Sequence, residues 1–125
     1  MRDSPTRSER TVRWMWVVAY ALFIFTLSSV PDPPVLGPIS VNDKVKHFAL
    51  YGVFAFLVAR ALAPGFSGRR KPVALGTLLI VAIYAATDEF HQSFVPGRSA
   101  DWADWLADCL AAAVIGVLTA IFARS

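Results

Sequence analysis

The chain is poor in charge, in histidine and above all in cysteine. Its one thiol, Cys109, cannot close an internal disulfide. It lies in an apolar run and reads as a small buried hydrophobe, not a reactive group. Asp, Glu, Lys and Arg together make up 17% of the 125 residues, where ordinary soluble domains carry about 25%. No G-x-S-x-G elbow, P-loop or Rossmann glycine pattern occurs, so nucleotide chemistry and a serine-hydrolase triad have no support and no cofactor is expected. The net charge of +3 does not point to nucleic acid, because the basic residues flank apolar segments instead of forming a stripe. Internal repeats and low-complexity tracts are also missing. What remains is hydrophobicity: 56% apolar residues and a mean hydropathy of +0.52. That balance suits a single domain, residues 1–125, whose solvent is a membrane.

The apolar residues fall into four segments. Trp14 to Val30 holds no charge and, with Val12, approaches the roughly 20 residues that cross ~30 Å of hydrocarbon. Trp14, Trp16 and Tyr20 suit its headgroup end. A cleaved signal peptide is the rival reading, but the apolar stretch exceeds the usual signal core and further apolar segments follow. Val30 to Asn42 contains Pro31, Pro33, Pro34, Gly37 and Pro38 and reads as an extramembrane loop. Asn42 or Asp43 can cap a second helix that runs to Ala63, where Pro64-Gly65 stops it. After a basic loop at 65–72, Pro72 fits the first turn of a third helix. Val73 to Ala86 is short for a span, so Thr87, Asp88 and Glu89 must lie at the boundary or in a protected polar pocket. Pro96-Gly97 marks a turn, and Asp101 can cap a fourth helix continuing to Phe122. The expected fold is all-α: an antiparallel four-helix transmembrane bundle with spans near 13–30, 45–63, 72–89 and 104–122.

Basic residues accumulate on cytoplasmic flanks. Arg2, Arg7, Arg10, Arg13, Arg60, Arg69, Arg70, Lys71 and Arg124 fall on one side of this topology, while only Lys44, Lys46 and Arg98 fall on the other. Both termini are therefore expected in the cytoplasm. Asp43 to His47 and Asp88 to Asp104 then meet on the outer face, together with most of the acidic residues.

The polar groups concentrate in two places. On the second helix, Asp43, Lys44 and His47 share a face by their spacing. Asp43 can orient the imidazole for acid–base work, or the group is a helix cap beside a snorkelling lysine. From Thr87 to Asp108, Asp88 is spaced to meet His91 and Gln92, and Glu89 to meet Gln92. The adjacent carboxylates repel one another, and Arg98 beyond the turn is the evident counter-charge, able to hold a carboxylate or phosphate bidentately. Asp101, Asp104 and Asp108 line one face of the fourth helix at i, i+3 and i+7. Asp108 lies a turn inside the apolar segment, where a carboxylate costs about 2.5–3.5 kcal/mol on insertion scales and needs a partner. It can hold helices together through His47, Arg98 or a serine, or it can serve a ligand. Trp102 and Trp105 suit an aromatic belt, and Ala112, Gly116 and Ala120 a close helix contact. His47, Glu89, His91 and Asp101 have metal-ligating side chains but no tight ligand spacing, so no metal is expected.

The order and spacing of these groups resemble the VanZ-like family of small bacterial membrane proteins. The likeness rests on Ser28-Ser29 closing the first helix, on D-K-x-x-H at Asp43 to His47, on D-E-x-x-Q at Asp88 to Gln92 and on Pro96-Gly97-Arg98. Asp104 and Asp108 match the acidic and Asn/Asp positions opening the last helix. Ala111 stands where the family often has glycine, and Asp108 where asparagine is frequent. The resemblance implies a polytopic membrane protein of the cell envelope; the founding member confers low-level teicoplanin resistance. It implies no settled activity.

The expectation is an integral protein of the bacterial cell membrane that binds a polar or anionic headgroup at its outer face. A lipid-linked wall precursor, a phospholipid or a lipoglycopeptide would qualify. Asp43, Lys44, His47, Asp88, Glu89, Gln92, Arg98, Asp104 and Asp108 are the candidate binding residues, with Arg98, Lys44 and His47 contacting the anion. A rival reading is a membrane-embedded hydrolase or transferase using His47 as acid/base with Asp88 or Glu89. An ion or proton pathway through Asp108 is a third.

Overall fold

A computed structural model describes residues 3–31, 39–67 and 69–122, without the side chains of 39–43. Four helices account for most of it: α1 (Arg7–Ser28), α2 (Ile39–Leu62), α3 (Arg70–Gln92) and α4 (Trp102–Phe122). All four are long and apolar enough to cross a membrane. At 1.5 Å per residue, about 22 residues span ~33 Å, close to the hydrocarbon thickness. Among the described residues there is no strand.

Each boundary has a local cause. α1 begins six residues before the apolar run expected from position 13, because Thr6 and Glu9 form a capping box. The Glu9 carboxylate accepts from the Thr6 amide at 2.7 Å and the Thr6 hydroxyl from the Glu9 amide at 3.2 Å, satisfying two otherwise open donors. α2 is helical from Ile39, so Asn42 and Asp43 lie inside its first turns and not at its cap. It ends in a short 3-10 turn, Ala63–Phe66, and Ser67 follows with a left-handed φ of 49°. α3 runs three residues past the expected limit at 89, so Asp88, Glu89 and Gln92 all lie on its last turns. At the turn before α4, Gly97 takes a φ of 76°, where glycine carries no side-chain penalty. Asp101 caps α4 as expected, its Oδ1 accepting from the Ala103 amide at 2.9 Å.

Successive helices are antiparallel. Arg13 near the start of α1 donates to the Arg60 carbonyl near the end of α2 at 2.9 Å, and Trp105 Nε1 near the start of α4 donates to the Ala82 carbonyl of α3 at 2.9 Å. α2 is central, packing on all three other helices, whereas α1 rests mainly on α2. Tyr51, Phe54, Ala55, Val58, Val81, Ala85, Ala111 and Ala112 form the core. Small residues let α3 and α4 approach closely: a Cβ on Gly116 would sit 3.2 Å from Thr77 Cγ2. Apolar side chains such as Trp16, Leu22, Leu75, Leu79, Leu110 and Phe122 point outward. On a soluble domain such a surface would aggregate; against lipid tails it is at home. A shallow apolar surface along Arg10, Trp14, Val18 and Leu22 of α1 belongs to this lipid-facing side.

This topology sorts the charges by end. The start of α1, the end of α2 and the start of α3 bring Arg7, Arg10, Arg13, Arg60, Arg70 and Lys71 to one end of the bundle. The opposite end gathers the acids.

Candidate functional site

At the acidic end, α2 and α4 run parallel and carry polar residues at the same spacing. Lys44, His47 and Tyr51 sit at i, i+3 and i+7 of α2; Asp101, Asp104 and Asp108 sit at i, i+3 and i+7 of α4. The two faces therefore meet rung by rung. Lys44 Nζ lies 2.9 Å from Asp104 Oδ1 and 3.6 Å from Asp101 Oδ2. One rung deeper, His47 Nδ1 is 3.0 Å from Asp108 Oδ1, and its Nε2 is 3.7 Å from Asp104 Oδ2. Tyr51, stacked on His47 with ring centroids 6.3 Å apart, donates across to Asp88 Oδ2 of α3 at 2.7 Å.

α3 closes the third side. Glu89 Oε2 accepts from the Asp101 amide at 3.0 Å, tying the end of α3 to the cap of α4. Gln92 donates to Ser28 Oγ of α1 at 3.3 Å and more weakly to Asp88 Oδ2 at 3.4 Å. Asp88, Glu89 and Gln92 thus sit in a protected polar pocket and not at an open boundary.

Exposure falls steeply with depth. The side chains of Lys44 and Asp101 are 44% and 47% exposed, whereas His47 is at 12% and Asp108 at 0%. Asp108 lies six residues into α4, about 9 Å along the axis. Three buried oxygens have no hydrogen-bond partner among the described residues: Asp88 Oδ1, Glu89 Oε1 and Asp108 Oδ2. Buried carboxylate oxygens normally find donors, since an unsatisfied one loses its hydration without return. Among the described residues, five carboxylates (Asp88, Glu89, Asp101, Asp104 and Asp108) share this end, with Lys44 and His47 paired to Asp101, Asp104 and Asp108. The surplus of negative charge and acceptors is what the arrangement offers a ligand.

The fold gathers Lys44, His47, Asp88, Glu89, Gln92, Asp104 and Asp108 as the sequence suggests. One expected residue, Arg98, stands elsewhere. Arg98 donates through Nε to the Val30 carbonyl at 3.0 Å and through Nη2 to the Leu27 carbonyl at 2.9 Å. Its guanidinium ties down carbonyls in the last turn of α1 and just beyond it. His91 also faces α1, with Nε2 3.0 Å from Ser29 Oγ and its ring stacked on Phe25 at 4.4 Å. The side chain of Asp43 lies outside the described residues. Tyr51 escaped the sequence reading although it lies four residues after His47 on the same face. Trp105 is not a simple belt residue, for its indole N–H bonds α3, while Trp102 is 73% exposed.

No curated protein and no solved structure gives a significant match to the chain. The family model described as VanZ/LLP1 matches residues 6–124, which takes in all four helices and every group of the polar end, and the chain belongs to that family.

Proposed function

We propose that this membrane protein binds the polar headgroup of an amphiphile at the acidic end of its bundle. The bacterial cell membrane is the setting, and the basic flanks orient the acidic end outward. A lipid-linked wall precursor, a phospholipid or a lipoglycopeptide has the required form, a polar head on an apolar anchor, and such a ligand would connect the protein with the envelope and with glycopeptide resistance. One observation carries the reading: buried carboxylate oxygens without donors among the described residues lie beneath a half-exposed rim of Lys44 and Asp101. A purely structural network would satisfy its own acceptors.

The charge balance sharpens the ligand class. With five described carboxylates gathered around Lys44 and His47, a bare anion meets net repulsion. A headgroup rich in donors (ammonium, hydroxyl or amide) is the better complement. Arg98, engaged with α1, contributes positioning more than ligand contact. The test is a binding titration of the purified protein in nanodiscs against zwitterionic, amino-sugar and purely anionic amphiphiles. Donor-rich headgroups are expected to bind, with at least ~10-fold loss in His47→Ala; equal, weak partitioning of all three into wild type and variant would sink the proposal.

A hydrolase or transferase reading draws on the contact between His47 Nδ1 and the fully buried Asp108 at 3.0 Å. A carboxylate that orients an imidazole prepares its other nitrogen for proton transfer. Turnover of a bound amphiphile, absent in Asp108→Asn, would distinguish this reading from binding alone.

A further inference from the structure

One corner of the polar end has the composition of a cation site. His47, Glu89 and Asp104 come from three different helices, yet each offers a ligand atom within 4.8 Å of the other two. The imidazole is held for the task. Its Nδ1 lies 3.0 Å from Asp108 Oδ1, while Nε2 turns toward Asp104 Oδ2 at 3.7 Å. A carboxylate on one ring nitrogen fixes the tautomer and raises the basicity of the other, as in carboxylate–histidine–metal triads. Asp108 is fully buried beside that nitrogen.

A second, independent observation points the same way. Glu89 is 7% exposed, and its Oε1 finds no hydrogen-bond partner among the described residues. The adjoining Asp108 Oδ2 is in the same state. Acceptors without donors, in an excess of negative charge away from water, call for a compact positive charge.

We infer that His47, Glu89 and Asp104 bind one divalent ion of the zinc or manganese kind. One imidazole with two carboxylates suits such ions, whereas calcium and magnesium favour oxygen alone. Ligands at ~2.1 Å from a tetrahedral ion stand about 3.4 Å apart, so the three side chains must draw in by roughly an ångström, within reach of small rotamer changes. Three protein ligands leave coordination positions for water or a phosphoryl oxygen. The ion would thereby let an acidic pocket accept an anionic group that its carboxylates alone repel.

The full chain, purified in detergent and stripped with chelator, is to be dialysed against Zn2+ or Mn2+ and its metal content and affinity measured. About one ion per chain is expected, with affinity lost at least ~100-fold in Glu89→Gln and Asp104→Asn. Asp108→Asn, a positioning change, should weaken binding about 10–100-fold. Cys109→Ala should leave it intact, and X-ray absorption at the zinc edge should show a nitrogen–oxygen shell without sulfur. Chelator-treated wild type should also melt at lower temperature than the metal-loaded protein, a readout that needs no variant to fold. No stoichiometric ion at micromolar metal, unchanged affinity in folded Glu89→Gln, or a sulfur ligand would each overturn the proposal.

Discussion

Tyr51 shows how much of the site depends on single side chains. Its hydroxyl is the strong donor to Asp88 Oδ2, at 2.7 Å, with only the longer Gln92 contact beside it. Tyr51→Phe removes the donor, keeps the ring and leaves a buried carboxylate more exposed to its own desolvation. The expected loss is about 1–3 kcal/mol of stability, read as a lower melting temperature in detergent. The spacing alone is a signal: His47 and Tyr51 stand four apart, so any helical face containing one contains the other. Arg98 was legible as a residue near the site but not in its role. Its acceptors are backbone carbonyls 68 and 71 residues earlier in the chain, and carbonyls leave no mark in a sequence. The pairing of Lys44 and His47 with Asp104 and Asp108 was hidden for a similar reason. Equal spacing on two helices becomes contact only when those helices run parallel and in register.

At the scale of the elements, hydropathy disclosed four helices and Pro-Gly pairs their turns, while the true ends followed capping chemistry. The Thr6–Glu9 box is a T-x-x-E signature and could have moved the start of α1 to Arg7 on sequence grounds. The trespass of α3 to Gln92 could not be read from apolarity, because its last turns are polar yet buried by α2 and α4. The packing of α4 against α3 and α2 gives a sharp contrast between two glycines. Gly116→Leu must push Thr77 aside and is expected to cost about 1–3 kcal/mol. Gly52→Ala meets Ile115 at an ordinary 3.6 Å and should leave the melting temperature unchanged or slightly raised. α1 is the least embraced helix, with Val17, Ile24 and Ser28 as its buried residues. Arg98→Ala frees its last carbonyls and should loosen that end. Faster hydrogen exchange confined to the last turn of α1 would register the change, and unaltered exchange there would assign the arginine another task.

For the whole molecule, the segregation of basic and acidic residues to opposite ends makes orientation a physical question with a direct readout. In a Cys109→Ala background, a cysteine at Ser93 should react with a membrane-impermeant maleimide on intact cells, and one at Ser67 only after lysis. Both positions are exposed, so accessibility reports sidedness and not burial. The reverse pattern would turn the acidic end to the cytoplasm and change the pool of headgroups it meets. The central claim is that the carboxylates at this end are kept for a ligand, at some expense in stability. Glu89→Gln tests it most directly: the variant still accepts from the Asp101 amide, relieves repulsion among neighbouring acids and gives the buried Oε1 position a donor. Melting temperature and headgroup affinity are to be measured side by side on purified protein. The account predicts a variant at least as stable as the wild type that binds at least ~10-fold more weakly; a variant that melts lower yet binds as well as the wild type would contradict it.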